Sequence, residues 1–143
     1  MAHYLIGDIQ GCNLALGQLL EKIDFSPSRD TLERLMAFGN SAKCLLGNHD
    51  LNLLAIACGV RKAHRKDTLN PILESPKLDA FIHWLKHQKL AMRQRIQNHD
   101  VLMVHAGVFP SWTASKTIAL ANEIELVLQH ASNNALKTFL HDM

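Results

Sequence analysis

Leu45 to Ala55 reads LLGNHDLNLLA. A short apolar run, Lys43 to Leu46, stops at Gly47, and a helical pattern begins just beyond it. That pattern continues to Cys58, with Gly59 placed to end it. A buried strand that passes through a Gly-containing loop into a helix is the building unit of an α/β fold. Between the strand and the helix stand Asn48, His49 and Asp50: an amide oxygen, an imidazole and a carboxylate in three consecutive positions.

The same arrangement occurs twice more. His3 to Ile6 is an apolar run that ends in Gly7-Asp8, and Val101 to Val104 runs directly into His105-Ala106-Gly107. Three expected strands thus end in loops that carry Asp8, Asn48-His49-Asp50 and His105. Open α/β sheets bind ligands at the carboxyl ends of their strands. Glycine in each loop lets the backbone approach a phosphate or an ion closely.

Helical spacing fills the rest. Leu16, Leu19, Leu20 and Ile23 predict a helix capped by Asn13, and Ser26-Pro27-Ser28 a turn. A short helix is expected from Thr31 to Phe38, closed by Gly39-Asn40. Pro71 and Pro76 flank a further short segment. Leu78, Phe81, Ile82 and Leu85 form an apolar stripe on another helix. Arg93 to Asp100 reads as a polar stretch ending in a turn at Asn98-His99-Asp100. From Trp112 onward two helices are expected, broken near Ser132-Asn133-Asn134. The 143 residues, 48% apolar and 20% charged, suit one compact domain over 1–143.

The formal net charge is +2, which calls for neither nucleic acid nor an anionic membrane. No apolar run approaches the length of a bilayer span. The opening MAHYLIGD lacks the basic and apolar regions of a signal peptide. Cys12, Cys44 and Cys58 form no CxxC pair and are odd in number, so a reducing, cytoplasmic setting is expected. Cys12 reads as a small buried filler.

Asp, Asn and His together offer hard oxygen and nitrogen ligands, suited to manganese, cobalt, iron or magnesium rather than to a thiolate zinc site. Two such cations would activate water and clamp charge on a phosphoryl group. Blander readings exist for each residue. Asp8 alone is an ordinary turn residue. Asn48 serves as an N-cap for a helix over 50 to 58, and Asp50 as a helix-start carboxylate. His83 and His87, four apart, read as a solvated pair, and Trp112 as a packing residue. The run Arg61, Lys62, Arg65 and Lys66 is either a solvated loop or an attractor for a polyphosphate chain.

Gly7-Asp8-Ile9-Gln10-Gly11, Gly47-Asn48-His49-Asp50 and His105-Ala106-Gly107 resemble, in order and context, the GDxxG, GNHD and HAG blocks of the calcineurin-like metallophosphoesterases. The flanks YLIGDIQGC, LLGNHDLNLLA and VHAGVFPSW look most like the symmetrical bis(5'-nucleosyl)-tetraphosphatases, which cleave diadenosine tetraphosphate to two ADP. The resemblance implies a β-sandwich flanked by helices, here shortened. It implies metal binding by Asp8, Gln10, Asn48 and His105, with manganese or cobalt first and magnesium or iron as alternatives. His49 would protonate the leaving oxygen, and Asp50 would orient it. The substrate implied is a dinucleoside polyphosphate, with neither nucleic acid nor membrane as partner.

One family block is missing. A GDxxxRGP segment, source of a metal-bridging Asp and a phosphate-binding Arg, has no counterpart where Leu32 meets Glu33. The family also continues beyond the equivalent of Met143, with a further metal-binding His. The expectation is therefore a dinuclear site reduced to one metal or none, weakened activity, and homo-oligomers formed through an exposed sheet edge. The alternatives are a non-catalytic nucleotide- or metal-binding remnant and a protein phosphatase-like enzyme.

Overall fold

The computed structural model describes residues 31–64 and 69–142. The strand expected at His3 to Ile6, the helix expected at Leu16 to Ile23 and the 26–28 turn lie outside them, as do Asp8, Gln10 and Cys12. The chain divides into two compact units, Met1–Lys43 and Cys44–Met143.

In the first unit the described residues form helix α1, Thr31–Ala37, followed by a 3-10 turn at Gly39–Ser41. Gly39 takes φ 51, a left-handed conformation that costs glycine little, and this ends the helix where the sequence places its stop.

The second unit holds five helices and one hairpin among its described residues. These are α2 (Asn48–Ala57), α3 (Asn70–Leu73), α4 (Leu78–Lys86), β1 (Ala91–Ile96), β2 (His99–Val104), α5 (Ala114–His130) and α6 (Asn133–Asp142). The Leu78, Phe81, Ile82, Leu85 stripe becomes the inner face of α4, with Phe81 and Leu85 buried. Leu54, Leu85, Leu128, Leu136 and Leu140 are the largest fully buried side chains, so the core joins α2, α4, α5 and α6. Thr113 caps α5 by accepting from the Lys116 amide at 3.2 Å.

Two strand expectations are corrected. Arg93 to Ile96 is not a polar loop but most of β1, which pairs antiparallel with β2 from Ala91↔Val104 to Ile96↔His99. The turn consequently falls at Gln97-Asn98, with Gln97 at φ 53, and β2 begins at His99 rather than Val101. The strand expected at Lys43 to Leu46 is reduced, among the described residues, to one parallel bridge, Leu45↔Lys89. Its hydrogen bonds run from Leu46 N–H to Lys89 O at 2.7 Å and from Lys89 N–H to Cys44 O at 3.4 Å. The architecture of the described residues is mixed helix and sheet, compatible with an α/β reading, with a two-stranded sheet among them.

Candidate functional site

Gly47 is the N-cap of α2, in extended backbone, and the helix begins at Asn48. Asn48 is therefore not the cap of a helix starting at 50. Its side chain is released from that task and turns to His105, with Oδ1 3.1 Å from Nε2. In the tautomer protonated at Nε2 the imidazole donates and the amide oxygen accepts.

The close approach of His105 depends on Gly47. A Cβ there would lie 3.0 Å from Cε1 and Nδ1 of the imidazole and 3.2 Å from Nε2. On the other side, Ala106 stands at φ 63, a left-handed conformation uncommon for alanine. The Gly107 amide donates to His105 O at 2.8 Å. This tight bend turns the chain away at the end of β2 and leaves the His105 ring beside Gly47.

Asp50 closes the loop from within. Its Oδ2 accepts from the Gly47 amide at 2.8 Å, so it does act at the helix start as expected. Burial pushes its carboxyl above the usual range, and this outweighs the opposing pull of the Gly47 amide, His105 and His49. Burial likewise raises the Cys44 thiol, with the Asp50 charge adding to it. Cys44 is thus held as a thiol rather than a thiolate ligand. His49 is exposed on the first turn of α2.

A further residue, Glu125, went unnoticed in the sequence. It is buried on α5, where Oε2 meets Lys89 Nζ at 2.7 Å and Oε1 accepts from the Leu90 amide at 2.8 Å. Lys89 in turn carries the bridge to Cys44 and Leu46 that leads into Gly47. The signal was a lone acid on the buried stripe Thr117, Ala121, Glu125, Leu128. A carboxylate on such a face requires partners.

Of the sequence-predicted site residues, Asn48, His49, Asp50 and His105 come together at one loop cluster. Arg61 and Lys62 are exposed beyond α2. Arg61 lines a half-open cleft of about 150 Å³ with Asn48, Leu51, Asn52, Ala55 and Leu140. Arg65 and Lys66 lie outside the described residues. His83 and His87 are exposed neighbours with ring centroids 4.4 Å apart. Trp112 is partly exposed, 6.1 Å from Phe109, with Lys116 Nζ 5.6 Å from its ring centre.

No group of three or more His, Cys, Asp or Glu side chains placed to hold a metal occurs among the described residues. The amide oxygen of Asn48 and the imidazole nitrogen of His105, 3.1 Å apart, are donor types that would suit a divalent cation.

The chain is a relative of nucleosyl polyphosphatases. It is 48% identical over 160 aligned positions to "Bis(5'-nucleosyl)-tetraphosphatase, symmetrical" of Paracidovorax citrulli, covering 100% of this chain and 56% of that protein. The protein of the same description from Acidovorax ebreus is 49% identical over 146 positions, with 90% and 52% covered. The Haemophilus influenzae protein is 37% identical over 147, with 91% and 53% covered. The chain is thus similar along its length to proteins described as symmetrical bis(5'-nucleosyl)-tetraphosphatases, and it spans about half the length of the curated relatives it matches. No family model matches it. The first alignment has 160 positions against 143 residues here, so at least 17 of its positions have no residue of this chain opposite them. Among the described residues no helix is long and apolar enough to cross a membrane.

Proposed function

We propose that this chain carries the catalytic loops of a cytoplasmic hydrolase that splits diadenosine tetraphosphate symmetrically into two ADP. The observation that supports it most is the convergence of Asn48 and His105 at 3.1 Å in a chain similar throughout to proteins of that name. In this reading the hairpin and helices are part of a calcineurin-like metallophosphoesterase sandwich.

Asn48 and His105 would hold one divalent cation, manganese or cobalt, while the family resemblance gives Asp8, with Gln10, to another. The cation supplies Lewis acidity toward a phosphoryl oxygen and makes water a better nucleophile. His49, exposed on the first turn of α2, gives its proton to the departing ADP oxygen as the phosphorus–oxygen bond breaks. Asp50 does not touch substrate. It fixes the Gly47 amide and so the direction in which His49 leaves the helix.

The missing GDxxxRGP block would slow hydrolysis rather than change the substrate. A bridging carboxylate and a phosphate-binding Arg belong to the block without counterpart, and pairing of two copies along a sheet edge would restore a fuller sheet. The deciding experiment is diadenosine tetraphosphate hydrolysis with added manganese or cobalt. ADP should be the sole nucleotide product, and His49→Ala and His105→Ala should each abolish it. Unequal products, or equal rates in all three proteins, would defeat the reading. Sedimentation velocity checks self-association.

A further inference from the structure

His83 and His87 stand one turn apart at the end of α4, both exposed, on the face opposite the buried Phe81 and Leu85. Their ring centroids are 4.4 Å apart, with the planes tilted by 43°. The His87 amide donates to Trp84 O at 3.1 Å, one residue short of its helical partner. His83 O is thereby left to the side chain, and Nδ1 of His87 lies 2.7 Å from it. A carbonyl oxygen can only accept, so Nδ1 carries the proton. In the neutral ring Nε2 is then a bare lone pair. Imidazoles that bind metals have their second nitrogen tied in this way to a carbonyl or carboxylate, which fixes both tautomer and ring orientation. His87 already has that support. The end of a helix also favours positive charge, and Asp79, one turn before His83, adds a carboxylate on the same face. Lys86, three residues after His83, is the opposing charge.

We infer that His83 and His87 chelate a late first-row transition-metal dication, of the nickel, copper and zinc class, through one ring nitrogen each. Two imidazoles at i and i+4 of a helix are a spacing that holds zinc. No group of three or more His, Cys, Asp or Glu side chains placed to hold a metal occurs among the described residues, so the pair supplies two ligands and water the others. Imidazole suits these metals, and nitrogen sites rank copper highest and manganese lowest along the series. The preference is thus the reverse of the one assigned to Asn48 and His105, and the site needs neither the loop cluster nor the proposed function. The bound ion acts as a clip across the last turn of α4. His87 is two residues from Lys89, so the clip sits where α4 passes into the segment that bridges to Leu45.

The test is titration of the whole chain with zinc chloride, followed by histidine ring and amide chemical shifts. Zinc should shift the ring signals of His83 and His87 together and slow solvent exchange of the His87 amide. His83→Gln and His87→Gln should each weaken this binding by at least about tenfold, since loss of a mere supporting partner already costs about 10–100-fold. His83→Gln keeps His87 and its bond to the main-chain carbonyl, so a loss there reports the missing ligand rather than a disturbed helix end. Both side chains are exposed, and urea midpoints check that the variants fold like the parent. His105→Ala should leave the His83 and His87 shifts unchanged. Manganese chloride at the same concentration should leave both rings unbroadened. Zinc shifts confined to other histidines, or parental zinc affinity at this pair's surviving ring in either Gln variant, would overturn the inference.

Discussion

His105 Nε2 and Asn48 Oδ1 lie 3.1 Å apart across 57 residues of sequence, and Gly47 is what lets them meet. A methyl group at position 47 would stand within 3.0 Å of the imidazole, so Gly47→Ala must push the ring away by a few tenths of an ångström. The expected outcome is a moved His105 ring resonance, a weakened Asn48 contact and about 1–3 kcal/mol lost to overpacking. The exposed ring has room to swing outward, which favours the lower end of that range. Denaturant unfolding and histidine NMR measure the two effects separately.

Asp50 serves Gly47 as an acceptor, and its charge is unfavourable where it sits. Asp50→Asn retains a side-chain oxygen for the Gly47 amide and removes a carboxylate disfavoured by burial. Its stability in EDTA should match or exceed that of the parent. Asp50→Ala removes the acceptor too and should cost about 1 kcal/mol, the usual loss for a helix-start bond. Urea midpoints of the three proteins order them, and a large loss in Asp50→Asn would contradict this account.

Glu125 is 3% exposed at its side chain and bonded to both Lys89 and the Leu90 amide. Glu125→Ala leaves the half-buried Leu90 amide without its acceptor and should cost about 1–3 kcal/mol. Glu125→Gln keeps an oxygen for Leu90 and should cost less. The gap between the two variants, read from denaturant unfolding, reports the amide bond rather than the ion pair.

Arg93 and Asp100 lie diagonally across the hairpin, with Arg93 Nε 3.0 Å and 2.8 Å from the two carboxylate oxygens. The hydrogen bond to Arg93 holds the Asp100 carboxyl below its ordinary value. A depressed carboxylate adds stability above its unfolded pKa and loses it as pH falls through the lower, folded value. The pair is solvent-exposed, so the contribution is small and fades with salt. Asp100→Asn should flatten that part of the acid limb of hairpin stability at low ionic strength and change nothing at high ionic strength. Hairpin amide shifts followed from about pH 5 downward show it.

Helices were legible where one apolar stripe was clean, as at Leu78, Phe81, Ile82 and Leu85. The end of α2 was legible because Gly59 alone could take its φ of 74 cheaply. β1 was hidden for a specific reason. Its inward positions are Met92, Gln94 and Ile96, and a central glutamine breaks the alternation that marks a strand. Its turn was hidden too, because the left-handed residue is Gln97 rather than a glycine or asparagine. In the site, Asn48, His49, Asp50 and His105 were recognisable from their chemistry. Glu125 and Lys89 were not, since they act on the backbone leading into Gly47 from far along the chain. Nor did the sequence foretell that Gly47, rather than Asn48, caps α2 and so frees Asn48 to face His105.

The two halves of the Asn48–His105 contact are anchored unequally. His105 follows a hairpin paired along six residues, while among the described residues the Cys44–Leu46 segment before Gly47 is tied by a single bridge, to Lys89. Opening should therefore begin on the Leu46 side. Its amide is expected to exchange with solvent before the inner amides of β2, so the contact would come and go while the hairpin stays closed.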